Sequence, residues 1–157
     1  MSARNWMAIR TALILVVVAG LAVDAYVHFD LASAYSGVKT STLSQGDLFR
    51  VEGALAVIAA VALLMRPRRY TAAFAFLVSA GGTAAVVVYR YVNVGGFGPV
   101  PNMYEPIWYG EKTLSVWAEG IAAVAALVLF VALDLRARRS VSAAPAPRPA
   151  ARVQSSD

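Results

Sequence analysis

Four apolar runs, each close to the length of a membrane-crossing helix, occupy most of this chain. A helix needs roughly 20 residues to cross the hydrocarbon core of a bilayer. Residues 11–31, 46–65, 70–89 and 113–133 meet that requirement. Backbone polar groups in lipid must be satisfied within the chain, so runs of this kind fold as helices. Composition points the same way, with 59% hydrophobic and 15% charged residues, against about 45–50% and 25% in soluble domains. The expected fold is all-α, a four-helix transmembrane bundle with the lipid bilayer as its first partner.

The positions of the basic residues orient that bundle. "RPRR" at 66–69 separates the second and third runs; Pro67 ends one helix, and so short a link makes the two helices antiparallel neighbours. Arg4 and Arg10, then Arg66, Arg68 and Arg69, then Arg136, Arg138, Arg139, Arg148 and Arg152 fall on one side, against Lys39, Arg50, Arg90 and Lys112 on the other. Cytoplasmic loops carry the excess of Lys and Arg. Both termini and the "RPRR" turn are therefore expected in the cytoplasm of a plasma-membrane protein, with 32–45 and the stretch before 113 outside. The net charge of +5 then reports orientation, and no nucleic-acid partner is expected. A signal peptide cleaved after Ala25 is the rival reading of the first run and would leave three spans. "VDA" is not a clean Ala-x-Ala site and the apolar pattern continues beyond it, which favours retention. Residues 1–137 form the expected membrane domain. The remainder, 138–157, ending in "SVSAAPAPRPAARVQSSD", lacks the apolar side chains for a core and is expected to be a disordered cytoplasmic tail.

Three of the four spans cannot be drawn without charges inside them. Between Arg10 and Asp24 lie 13 uncharged residues, too few to cross, so the first span must contain Asp24 and His28. Counting back from Arg66, the second takes in Glu52 and reaches Arg50; the fourth, between Lys112 and Asp134, contains Glu119. At about 1.5 Å per residue, Asp24, Glu52 and Glu119 each lie roughly 9–11 Å below the outer boundary. His28 is one turn above Asp24 as an i,i+4 pair, Ser115 is one turn above Glu119, and Arg90 marks the outer end of the third span. Intramembrane charges are costly and turn inward to find partners. The expected result is an outward-facing polar pocket with Asp24, Glu52 and Glu119 as its floor and His28, Arg50 and Arg90 as their partners. Below it, Ala56-x-x-x-Ala60 and Gly81-x-x-x-Ala85 have the small-residue spacing that lets helices pack closely.

Between the third and fourth runs, "VNVGGFGPVPNMYEPIWYGEK" is too broken by Gly and Pro for one helix and unusually aromatic. Two roles suit it: an anchor in the headgroup layer, where amphipathic rings settle, or a lid over the pocket, with Asn102, Tyr104, Glu105 and Trp108 as its candidate residues.

Three roles suit the pocket itself. The charges can simply fix helix register. They can bind a proton, a cation or a small polar ligand, and one histidine with three carboxylates can hold a divalent metal. Or paired carboxylates can activate water in an intramembrane enzyme. Catalytic motifs are missing: the chain has no cysteine and one histidine, which excludes thiolate chemistry and two-histidine metal motifs. Lipoprotein signal peptidase also has four spans and paired aspartates, but its Asn- and Asp-containing motifs are not found here. Neither "YSGV" nor "VSAGG" supplies a rhomboid-type serine motif, and "GGFGP" is not a phosphate loop. No cofactor and no dedicated metal site are expected. A non-enzymatic role is favoured, as a small-ligand or ion-binding protein or as a subunit of a homo-oligomer or larger membrane complex.

"SQGDLFRVEGALAVIAA", "PRRY" and "YRYVNVGGFGPVPNMYEPIWYGEKTLSVWAEG" together resemble a group of small hypothetical integral membrane proteins of actinobacteria, over about residues 24–132. The resemblance implies a four-helix plasma-membrane protein, and carries no activity, cofactor or site residue.

Overall fold

The computed structural model describes residues 2–142. Four helices account for most of them: α1 (Ala3–Leu31), α2 (Gln45–Met65), α3 (Arg69–Tyr91) and α4 (Gly110–Ser142), with one 3-10 turn, Ala34–Gly37, between α1 and α2. All four helices are long and apolar enough to span a membrane. The first and last extend beyond the expected spans, α1 starting at Ala3 and α4 continuing to Ser142. The segment expected to be a tail therefore begins as helix, and its residues 143–157 lie outside the described residues.

Local chemistry sets the helix ends. Ser2 caps α1 by accepting the Asn5 N–H at 3.2 Å. A capping box starts α2, in which Ser44 Oγ accepts the Asp47 N–H at 3.0 Å and Asp47 Oδ2 accepts the Ser44 N–H at 3.1 Å. At α3 only half of such a box exists, because an arginine at the cap has no acceptor: the Arg68 N–H donates to Thr71 Oγ1 at 3.0 Å.

The helices form a ring in which α1 packs on α2, α2 on α3, α3 on α4 and α4 on α1, with the α2–α3 pair the least extensively packed. The start of α1, the last turns of α4 and the 66–69 turn come together at one end, hereafter the arginine end. There Arg69 and Arg138 reach Asp134 at 3.1 and 2.6 Å, Arg10 donates to the Pro67 carbonyl at 3.2 Å, and the Arg136 guanidinium lies 4.5 Å from the Trp6 ring. The opposite, loop end carries 32–44 and 92–109.

The core of the bundle is thin and made of small side chains: Val17 and Leu21 from α1, Ala56, Ala59 and Leu63 from α2, Ala72 and Ala75 from α3, Ala126 and Leu129 from α4. Large apolar residues such as Leu15, Ile58, Leu77, Ile121 and Val124 point outward, the arrangement of helices that meet lipid rather than water. Backbones approach closely where glycine allows. A Cβ at Gly20 would stand 2.7 Å from the Ala118 carbonyl oxygen and 2.8 Å from the Ala122 Cβ, so this is where α1 and α4 cross. Ala56 and Ala60 are buried as their spacing predicts. Gly81 and Ala85 are not at a helix contact; they are exposed and face a cavity, and the packed glycine of α3 is its neighbour Gly82.

Candidate functional site

Toward the loop end the helices part and polar side chains replace the alanines. Asp24 of α1 and Glu119 of α4 are both 0% exposed, and His28, one turn along α1, is 8% exposed. One ligating atom from each of these three residues lies within 4.8 Å of the others. His28 Nδ1 is 2.6 Å from Asp24 Oδ1 and 3.0 Å from the Asp24 carbonyl oxygen. A ring nitrogen carries one hydrogen at most, and here it serves the carbonyl; neither Asp24 carboxylate oxygen accepts a well-directed hydrogen bond. Ser115 Oγ donates to Glu119 Oε1 at 2.6 Å, the support expected from their spacing, while Glu119 Oε2 has no partner. The α3 wall makes room for this carboxylate by being glycine: a Cβ at Gly82 would lie 2.7 Å from Glu119 Oε2.

Above the cluster lies a cavity of about 180 Å³. His28, Glu52, Gly82, Tyr89 and Ser115 line its walls, with Glu105, Tyr109 and Met103 at the loop end. Glu52 is half-buried and its Oε1 is also without a partner. The Phe29 ring packs 3.1 Å from where a Gly53 Cβ would be, which closes the α1–α2 seam beside Glu52. Phe49 stands edge-on to His28, with ring centroids 5.2 Å apart.

The 92–109 loop reaches over this cavity. Gly95 and Gly98 adopt positive φ values of 71° and 56°, which side chains with a Cβ resist, and the Phe97–Val100 pairing turns the chain back on itself. Glu105 is then held from three sides. Its N–H donates to the Tyr89 carbonyl at 3.0 Å, its own carbonyl accepts from Lys112 Nζ at 2.7 Å, and its Oε2 accepts from the Tyr35 hydroxyl at 2.6 Å. Tyr35 has one hydroxyl proton, so at its 2.9 Å contact with Tyr109 it acts as acceptor. Burial and the Glu105 contact push the Tyr35 hydroxyl far above the ordinary tyrosine range, and burial raises Tyr109 as well. Both remain protonated donors at neutral pH. A second tie links the two loops, from Thr40 Oγ1 to the Pro99 carbonyl at 2.9 Å. Tyr35→Phe removes the donor to a half-buried carboxylate. A loss of about 1–2 kcal/mol is expected, read as faster hydrogen–deuterium exchange across 92–109 with little change in the helices.

Of the residues picked from sequence, Asp24, His28 and Glu119 meet, with Glu52 and Glu105 lining the same cavity. Arg50 and Arg90 do not line it. Arg50 pairs with Asp47 at 2.9 Å with both side chains half exposed, a closer and wetter partner one turn back along the helix. Arg90 instead lies over the Tyr91 and Trp108 rings at 5.0 and 5.6 Å. Asn102 and Tyr104 are exposed parts of the loop's own scaffold, Asn102 donating to Asn93 Oδ1 at 3.0 Å and accepting the Tyr104 N–H at 3.0 Å. Trp108 heads an apolar groove on the outside of α4, with Trp117 and Ile121. The residues that sequence reasoning passed over are Tyr35, Tyr109 and Gly82. Tyr109 belongs to the aromatic 92–112 stretch, Tyr35 lies in the other loop with no pattern around it, and Gly82 is hidden beside Gly81.

In class this is an all-helical protein with four membrane-span-capable helices, built around a buried acidic cluster at one end. Among known proteins, no family model, no curated protein and no solved structure matches the chain.

Proposed function

We propose that this is a multi-pass plasma-membrane protein that binds a small ligand in an extracytoplasmic pocket, and that it acts as a binding protein rather than an enzyme. One observation carries the reading. Asp24, Glu52 and Glu119, from three different helices, hold carboxylate oxygens without hydrogen-bond partners beneath or beside a cavity at the loop end. Buried polar groups in folded proteins are nearly always satisfied, and a cluster left open next to a cavity suits a ligand that completes it. The arginine end is the cytoplasmic one by its charge, which sets the cavity toward the outside. Transport fits less well, because the arginine-end half of the bundle is closed by Val17, Leu63, Ala72, Ala75 and Leu129. Catalysis fits less well too. The Ser115 hydroxyl beside the acids is committed to Glu119, so it is not free to act as a nucleophile. The resemblance to four-helix actinobacterial membrane proteins belongs with this proposal.

Because the chain has no cysteine, an introduced thiol reports on its own position. Val86→Cys, on the cavity wall, is expected to react with a small membrane-impermeant thiol reagent added outside intact cells. Val57→Cys, on the apolar outer surface of α2, is expected to stay unlabelled. Labelling of Val86→Cys only after permeabilisation, or not at all, removes the outward-facing pocket.

A further inference from the structure

We propose that Asp24, His28 and Glu119 form a binding site for one divalent first-row transition-metal ion, which enters through the cavity above them. This rests on the pocket reading and names its ligand.

Spacing is the first argument. The three ligating atoms lie within 4.8 Å of one another. An ion with bonds of about 2.0–2.2 Å holds its ligand atoms about 3–4 Å apart, so small side-chain rotations close the site. Satisfaction is the second. Both Asp24 oxygens and Glu119 Oε2 are buried without accepting a hydrogen bond, in residues that are 0% exposed, and an under-compensated carboxylate is among the costliest groups to bury. Among the described residues no lysine or arginine pairs with either acid; Asp24 has His28, and the arginine ion pairs go to Asp47 and Asp134. A doubly charged ion offsets what one imidazole cannot.

The supports expected around a metal are also in place. Ser115 occupies Glu119 Oε1 and leaves Oε2 available, and the Asp24 carbonyl accepts from His28 Nδ1 and orients the ring; groups of this kind fix ligand orientation around bound ions. On the α3 side the cluster is closed, since even a methyl carbon at Gly82 would press on Glu119. The donor set separates the metals: an imidazole with two carboxylates suits zinc, iron, cobalt or manganese, whereas calcium takes six to eight oxygens. Glu52 and water in the cavity are the candidates for the remaining positions.

The test uses full-length protein in detergent, purified with a tag free of histidine and stripped with chelator. Co²⁺ is expected to bind with visible d–d bands at one ion per chain, to be displaced by equimolar Zn²⁺, and to withstand a large excess of Mg²⁺. In Asp24→Asn and Glu119→Gln the affinity should fall at least about tenfold, with helicity and monodispersity retained. Since His28 is the only histidine, pulsed EPR of Cu²⁺-loaded wild-type protein grown with ¹⁵N-histidine decides the matter even if a variant fails to fold. A histidine nitrogen coupling supports the site. No such coupling, or Co²⁺ bound equally by both variants, means an adventitious surface ion and overturns it. External labelling of Val86→Cys without any metal binding would leave the pocket standing and remove only the ion; the reverse result would remove the outward-facing pocket.

Discussion

His28→Leu is expected to destabilise the bundle by about 3–5 kcal/mol, the usual result of stripping one member from a buried charge pair. Asp24 is 0% exposed and His28 Nδ1, 2.6 Å from its Oδ1, is the basic group beside it. Leucine fills much of the space and keeps an apolar surface toward Phe49, whose ring meets His28 edge-on at 5.2 Å, so the loss reports the stranded carboxylate rather than a void. The control is a double-mutant cycle. In an Asp24→Asn background the carboxylate nearest His28 is gone and only Glu119 of the same cluster remains for the ring to balance, so the same His28→Leu change should cost clearly less, toward the roughly 1 kcal/mol of an ordinary hydrogen bond. SDS titration in mixed micelles, followed by far-UV circular dichroism, measures both. Equal losses in the two backgrounds would mean that His28 contributes packing alone and that Asp24 is neutralised by something else.

The value of that pair was visible in the sequence for a simple reason. With Arg10 on one side and a crossing of about 20 residues to complete, α1 has to take Asp24 and His28 inside, and four residues of separation put them on one face. The four helices were equally legible, because lipid leaves the backbone no other way to satisfy itself. Rotation about each helix axis was harder to read. Arg50 precedes Glu52 by two residues, about 200° around the helix, so the two cannot share a pocket wall, and Arg50 turns to Asp47. Gly81 and Gly82 differ by about 100°, and that difference separates a cavity wall from the contact with Glu119. Small residues flank both positions, and the apolar pattern of α3 does not say which faces inward. The 92–109 loop was the least legible part. Tyr35 meets Glu105 across 70 residues of sequence, a pairing made by the folded loops with no periodicity to announce it. The aromatic residues there were recognisable as a group, but which of them anchor and which cover depends on the turn set by Gly95 and Gly98.

Glu119→Gln is expected to raise the stability of metal-free protein by about 1.5–3 kcal/mol, the range of a hydrogen bond to a charged group. Glutamine keeps the shape of the side chain and keeps an oxygen for Ser115, which now donates to Glu119 Oε1 at 2.6 Å. At the position of Oε2, an atom without a partner, it places an N–H₂ donor near the unsatisfied oxygens of Asp24. One carboxylate thus leaves an interior where two are crowded, and the one that stays gains a donor. The sign of this change separates two views of the cluster. If the charges exist to hold the helices in register, Glu119 is part of the fastening and its replacement lowers the unfolding midpoint. If they exist to bind, the protein carries an electrostatic strain that its ligand relieves, and removing the charge relieves it permanently at the cost of binding, the trade commonly found at functional sites. Unfolding midpoints of wild type and Glu119→Gln, each with chelator and with excess Zn²⁺, are expected to cross. The variant should be the more stable protein in chelator, and zinc should raise only the wild type. A variant less stable than wild type in chelator would make the acidic cluster a structural clasp.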